Sequence, residues 1–431
     1  MKNKIKNRFH YAYVMIISIA FQRFIVCAEN TASGLFLLPV STALGVSQGT
    51  FMFYQTLEFA VTALVTMLIP KLTSRFKYTT LNKIGLICMT CGLLCMSRAQ
   101  NVTMFYLAGL LNGLGLVVCN LLLMGTMIPR WFNARIGVMM ATVTLLFTLP
   151  GMVLSPVVSY LLSLPSVLGM ESWRGTYFLL ALLPITVGMF NAFFVLKESP
   201  AALGLTPCGE THESNTVSEV TPLHPGICKQ TVVRSSSCLL LALAIVLWST
   251  MSSINPYLAS YISTSHAAAK VSFDLKGFVG AAVAVGSLTG AYLIGIANDR
   301  FGARGGVVVG CVCGAAGAAA MLLGSSFWIV LLIGASLVGV YISLFNVQIP
   351  IMVKDMYGNL DYDKLFPLFT SIGGWFGAFS VSFWGVLRDT TGSYTAMFSI
   401  AVVACSLAGI LGSLAIQKSK LLWNDNPSSI E

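Results

Sequence analysis

The sequence predicts an all-α polytopic membrane protein with twelve transmembrane helices grouped as two six-helix bundles. Three observations carry the prediction. Hydrophobic residues make up 56% of the 431 residues and charged residues only 9%, with a mean hydropathy of +0.82, so little of the chain can face water. Apolar stretches long enough to cross the roughly 30 Å hydrocarbon core as helices recur along the whole length. A single long polar break divides these stretches six and six. Only helices and closed barrels satisfy their backbone polar groups in lipid, and the runs lack the short alternation of barrel strands.

The first bundle, residues 1–196, has expected spans at 11–38, 51–70, 81–99, 103–128, 136–162 and 175–196. Lys2 to Arg8 precede an apolar run too long for a signal peptide and closed by no small-x-small site, so the first span is expected to stay in place. Residues 197–235, rich in Pro, Ser, Thr and Glu, read as a cytoplasmic linker. His212 and His224 are too isolated there to suggest a metal site. The second bundle and short tail, residues 236–431, have spans at 236–262, 277–298, 306–324, 326–350, 366–387 and 394–416. Pro256 marks a kink in the seventh span.

With both termini on one side, the loops of that side hold 19 of the 25 basic residues. The positive-inside rule then makes both termini cytoplasmic, in a plasma or inner cell membrane. The basic pI of 9.1 records topology, not a nucleic-acid partner. Eleven cysteines are scattered, mainly in the spans, without paired metal spacing, and read as small buried apolar residues. No phosphate-binding glycine loop, zinc spacing or nucleophile motif is present, so the sequence points to no enzyme, cofactor or metal.

Charges within the spans are the strongest functional signal. An ionisable residue at mid-bilayer is costly unless paired or hydrated. Arg23 lies about 18 Å into the first span at 1.5 Å per residue, and Glu58, counted from the opposite end of the second span, falls at nearly the same depth. Glu29 falls about 9 Å further outward. Arg23 and Asn30 share one helical stripe, Gln22 and Glu29 another, and Gln55, Glu58 and Thr62 line one face of the second span. Two readings stand together. In one, Arg23 and Glu58 form an ion pair that braces the first two spans. In the other, Arg23 binds a carboxylate through its forked donors, with Asn30 on the same stripe as a further substrate-binding residue. Glu29 or Glu58 then carries the coupled proton, since a carboxyl in a low-dielectric site has a raised pKa. Asn255, Tyr341, Gln348 and Trp375 offer uncharged polar and aromatic groups in the second bundle for the same pocket.

An internal repeat supports the two-bundle division. Residues 69–76, IPKLTSRF, follow the second span, and residues 295–304, GIANDRFGAR, follow the eighth. Six plus six helices with repeated inner loops imply alternating access around a central cavity. Here the chain resembles the major facilitator superfamily, through the G-x-x-x-D-R-x-G-x-R loop carried by Gly295, Asp299, Arg300 and Arg304. The resemblance implies that these four form a conformational latch. The first copy departs from the pattern, with Pro70 and Ser74 in place of Gly and Asp. Residues 129–137 (PRWFNARIG), Trp173-Arg174, 199–207 (SPAALGLTP) and 385–394 (GVLRDTTGSY) are similar to motifs of the branch containing monocarboxylate transporters and oxalate–formate antiporters. The basic residues that branch commonly carries within helices 8 and 11 are absent here.

The expected function is secondary active transport of a small, monocarboxylate-like organic anion by alternating access, coupled to protons. Exchange of organic acids and export of amphipathic or cationic compounds are the alternatives, and a channel or membrane sensor is the alternative of a different class. Expected partners are the small-molecule substrate, protons and the lipid bilayer. The protein is expected to be monomeric.

Overall fold

The computed structural model describes residues 11–119, 127–132, 149–206, 208, 226–266, 274–324, 326–358 and 360–425. Among these residues, nine helices are long and apolar enough to cross a membrane, and Leu149–Ser163 is a shorter apolar helix. The protein is a multi-pass, mostly helical membrane protein.

The first span is two helices, α1 (Tyr11–Val26) and α2 (Ala28–Leu44), interrupted at Cys27 (φ −88°, ψ 0°). The unbroken apolar run gave no sign of this interruption, which places Glu29 in the first turn of α2. α3 (Gln48–Arg75) starts where the Ser47 hydroxyl accepts the Thr50 N–H at 3.2 Å, satisfying one orphan donor of the first turn. α4 spans Tyr78–Arg98, and α5 (Val102–Leu116) is capped by Asn101, whose side chain accepts the Met104 N–H at 3.1 Å. The short α6 (Ile128–Trp131) follows. Of the fifth expected span the structure describes α7 (Leu149–Ser163); residues 133–148, Arg135 among them, lie outside the described residues, as does Asn120. Strands β1 (Ser166–Val167) and β2 (Met170–Glu171) pair antiparallel and lead into α8 (Ser172–Leu182). The sixth span then continues in π-helical geometry over Leu183–Gly188 and Asn191–Val195.

Within the expected linker lies the short α9 (Lys229–Arg234), and beyond it come α10 (Ser236–Ser252) and α11 (Asn255–Ser263). The seventh span breaks between α10 and α11, with Pro256 in the first turn of α11, as its position in the sequence predicts. α12 (Leu275–Leu323) holds the eighth and ninth spans together. The loop expected between them shrinks to one non-helical residue, Gly302 (φ 68°, ψ −177°). That conformation is open essentially to glycine alone. The chain reverses there, bringing Gly305 against the Ala297 carbonyl. α13 (Trp328–Tyr357), α14 (Tyr362–Thr391) and α15 (Tyr394–Asp425) complete the fold.

A buried amide network ties α1 to the sixth span. Asn191 donates to the Gln22 side chain and to the Ser18 carbonyl, both at 3.0 Å, and the Ser18 hydroxyl donates back at 2.7 Å. Buried hydrogen-bond networks of this kind favour one arrangement of helices. The ends of α2, α11 and α14 and the starts of α3 and α15 meet on one face, through Gly49–Asp389, Gln48–Tyr394 and Tyr261–Tyr394; this face, opposite Tyr11 and Asp425, is called here the far face, and the other the face bearing the termini.

Candidate functional site

The site has three parts: a buried acidic cluster, a cavity beside it, and a seam of contacts at the far face. The break at Cys27 sets the first part. Glu29, just after it, and Glu58, mid-way along α3, are each 1% exposed. Tyr54, one turn before Glu58, donates its hydroxyl to Glu29 Oε1 at 3.1 Å, and its ring packs against Phe51 and Phe105. Asn30 lies beside Glu58. The second oxygens of both carboxyls, Glu29 Oε2 and Glu58 Oε2, meet no hydrogen-bond donor among the described residues. The two carboxyls lie within electrostatic reach of one another. Alongside, Gln55 donates to the Ser33 hydroxyl at 3.3 Å.

This arrangement differs from the depth count made along the sequence. The ion pairs among the described residues do not include Arg23–Glu58. Instead Glu58 is grouped with Asn30, Tyr54 and Glu29, the residue expected a further two turns outward. Counting rise places backbones along straight, upright helices and leaves out side-chain reach, by which Tyr54 bridges to Glu29 and Asn30 meets Glu58. Arg23 is buried on α1, within electrostatic reach of Cys27 one turn on.

The second part is a cavity of about 520 Å³ between α3 and the helices α10, α13 and α14. Phe59 and Thr62, which follow Glu58 on α3, form one wall. Ser249, Ser252, Ser253, Asn346, Thr370 and Ser371 supply hydroxyls and one amide, and Phe345 and Trp375 supply aromatic surface. No charged side chain is among its described lining residues. Of the six binding residues expected from sequence, Trp375 alone lines this cavity. Asn255 lies in a separate, much smaller space with Ser33, Gly34 and Ser155. Tyr341 is buried on α13, its hydroxyl directed at the Leu247 carbonyl at 3.5 Å. Gln348 is fully buried and committed elsewhere: it accepts from Asn298 at 2.9 Å and donates to the Ala303 carbonyl at 2.6 Å. It holds the Gly302 reversal to α13, so both ends of its amide are occupied away from the cavity.

The third part closes the cavity on the far side. The Thr56 hydroxyl donates to the Ala378 carbonyl at 2.9 Å and shares a hydrogen bond with Ser382 at 2.7 Å. Further out, the Gly49 N–H donates to Asp389 Oδ2 at 2.9 Å, setting a carboxylate on the positive end of α3. Tyr394 donates to Gln48 at 2.8 Å, and Ser159 donates to Asp274 at 2.5 Å. A Cβ on Gly49 would sit 2.8 Å from the Gly385 carbonyl carbon, and one on Gly385 would sit 2.4 Å from Gly49 Cα. These contacts all join residues before the linker to residues after it. At the face bearing the termini the latch residues make no such contact among the described residues. Asp299, Arg300 and Arg304 are exposed and, among the described residues, none is in an ion pair; Gly295 has open space beside it.

Sequence reasoning missed Tyr54 and Thr56. Tyr54 was findable, since it stands one turn from Glu58 on the same face. Thr56 looks like any other threonine in an apolar helix, and nothing in the sequence reveals its partner 326 positions away.

A family model described as Major Facilitator Superfamily matches residues 19–273, more than half of the chain. The chain belongs to this superfamily. Solved structures agree in fold. A bacterial homologue of the human lysosomal transporter Spinster, inward-facing and unoccupied, superposes with a TM-score of 0.67 at 12% identity, over 98% of this chain and 97% of that one. A mutant form of the nucleoside transporter NupG superposes with a TM-score of 0.70 at 12% identity, over 95% of this chain and 100% of that one. At such identity these likenesses speak for the fold and not for a shared solute. No curated protein sequence matches. As a member of this superfamily, the protein is a secondary transporter of a small molecule.

Proposed function

We propose that the protein is a proton-coupled carrier of an amphipathic solute bearing at most one negative charge, with a monocarboxylate as the leading candidate. The observation that carries this reading is the buried Glu29–Tyr54–Glu58 cluster against the wall of the cavity. Two carboxyls buried together, neither ion-paired among the described residues, accommodate protons more readily than two negative charges. Glu58 is followed directly by Phe59 in the cavity wall. A change of protonation there is therefore felt where the solute lies. The hydroxyls, Asn346 and the aromatic faces of Trp375 and Phe345 suit a body that both hydrogen-bonds and stacks. On this reading Arg23, which lies outside the described cavity lining in the state observed, takes the carboxylate in another state of the cycle, and resemblance to the monocarboxylate and oxalate–formate branch favours an acid.

The two bundles, residues 1–196 and 236–431, move as bodies about the cavity, and residues 197–235 join them. With cytoplasmic termini, the far-face seam is the external gate and the observed state is inward-facing. The disengaged Asp299, Arg300 and Arg304 then form their latch in the opposite state. A second reading, an uncharged solute, is favoured by the absence of charge from the described cavity lining.

Thermal stabilisation of the purified protein by monocarboxylates, dicarboxylates, amines and uncharged ring-bearing solutes tests the reading. A ligand of the folded state raises apparent stability with its concentration over its Kd. The monocarboxylate reading requires stabilisation by monoacids that Arg23→Gln abolishes and Trp375→Ala weakens. Stabilisation by uncharged solutes, indifferent to Arg23→Gln, selects the second reading. Stabilisation by amines or dicarboxylates alone rejects both.

A further inference from the structure

On the outer surface of the second half, away from the transport cavity, a groove of about 410 Å³ runs between the ninth span (the part of α12 after Gly302) and α15. One wall runs from Arg304 to Ala315, the other from Ser406 to Gln417. Each covers eleven steps, about 16 Å of helix rise, close to half of the roughly 30 Å hydrocarbon core. The groove is thus one leaflet deep and belongs to the leaflet at the face bearing the termini. Its sides are mainly apolar, with Ser413 the one hydroxyl midway along the described lining, and Val312 and Ile410 on its rim are 60% and 57% exposed. In a membrane-crossing pair of helices such exposed side chains meet lipid.

At one end the Ser406 hydroxyl is turned back on the Val402 carbonyl at 2.9 Å, and among its described lining residues the groove carries charge at the other end only. Arg304 and Gln417 line it there, where the helices leave the hydrocarbon. Arg300, Lys418 and Lys420 are exposed at the same helix ends. An apolar channel one leaflet deep, closed by a guanidinium and an amide at interface height, matches a molecule with an acyl chain and an anionic head. Basic pockets between transmembrane helices at this level favour anionic headgroups. Arginine is well suited to phosphate because its fork of donors engages two oxygens.

We propose that this groove binds an anionic phospholipid of the leaflet at the face bearing the termini, with one acyl chain between the ninth span and α15 and its phosphate on Arg304 and Gln417. The site is independent of the transported solute and of proton coupling. It gives Arg304 a lipid partner in the state observed, in which that residue makes no ion pair among the described residues.

Native mass spectrometry of the purified full-length protein, titrated with phosphatidylglycerol or phosphatidylcholine, tests the assignment. The parent protein is expected to retain phosphatidylglycerol in preference. Arg304→Gln should lower phosphatidylglycerol retention about fivefold, the effect of one basic residue near a membrane surface. Val312→Trp, which fills the groove from its exposed rim, should lower retention of both lipids. Lys354→Gln, an exposed charge elsewhere on the same side, should change neither. Thermal unfolding verifies that each variant is folded, and Gln417→Ala reads the same site should Arg304→Gln fail to fold. Equal retention of the two lipids by the parent overturns the proposal. So does an equal loss in Lys354→Gln, which would mark diffuse surface charge. Undiminished phosphatidylglycerol retention in Val312→Trp also overturns it, because the headgroup would then bind without the groove.

Discussion

Substituting Gly49 by alanine should bias the protein away from the state in which the far face is closed. The added methyl would lie 2.7 Å from Asp389 Oδ2, 2.8 Å from the Gly385 carbonyl carbon and 2.9 Å from the Val386 nitrogen. Two of these neighbours are backbone atoms of α14, which no rotamer change can clear. Forcing a methyl into such a contact costs about 1–3 kcal/mol. Alanine also stabilises the helix by about 1 kcal/mol relative to glycine, but that gain is the same whether the seam is open or closed, so it cancels from the bias. The Gly49 N–H bond to Asp389 is strained by the same separation. A bias of about 1–3 kcal/mol corresponds to a shift of about 5- to 150-fold between two states. Paired spin labels at Ala43 and Thr391, exposed on opposite sides of the seam, would read it in a cysteine-depleted background. The expected result is a longer-distance population that is minor in the parent and dominant in Gly49→Ala, with Gly385→Ala behaving alike. Unchanged distance distributions in both variants would refute the assignment of this contact to closure.

Three other outcomes follow from the same geometry. Gln348→Leu should lower stability by about 1–3 kcal/mol, because it leaves the Asn298 amide and the Ala303 carbonyl without their partner; thermal unfolding measures this. Trp375→Ala should weaken solute binding while leaving the unfolding midpoint of the unliganded protein nearly unchanged, since the side chain faces the cavity. Asp361 accepts the Lys229 N–H at 2.8 Å and pairs with Lys364 at 2.7 Å, and these contacts hold its carboxyl below its ordinary value of 3.8. A lowered folded-state pKa means a stabilising contribution present above the unfolded value and lost as pH falls through the folded one. Attachment of α9 to the start of α14 should therefore persist at neutral pH and loosen in acid below the ordinary carboxylate value, while Asp361→Asn should loosen it at neutral pH; proteolysis near Lys229 reports both.

Much of the fold was legible because a bilayer leaves a sequence few options. Span positions followed from apolar length, and the break in the seventh span followed from Pro256. The break at Cys27 was not legible, since no proline or glycine marks it and the interruption spans one residue. Nor was the collapse of the loop at Gly302 to one residue, which required the backbone angles themselves. At the site, the ionisable side chains Arg23, Glu29 and Glu58 stood out because charge is rare in these spans. Which of them meet was not legible, because that depends on how α1 and α2 pack against α3 and on how far each side chain reaches. Gln348 and Tyr341 show the opposite error: polar residues on a helix face resemble ligand contacts until their partners, the Gly302 reversal and the Leu247 carbonyl, are seen. The seam at the far face was the least legible part. Gly49 and Gly385 are 336 residues apart by number, and only their approach in space gives either a role.

The most direct test of the central claim is proton movement in proteoliposomes. Internal pH is followed while an imposed pH gradient drives uptake of the solute chosen by thermal stabilisation. Proton coupling through the cluster predicts solute accumulation above equilibrium together with solute-dependent proton flux, and loss of both in Glu58→Gln with solute binding retained. Gradient-driven accumulation that is undiminished in both Glu29→Gln and Glu58→Gln would contradict it.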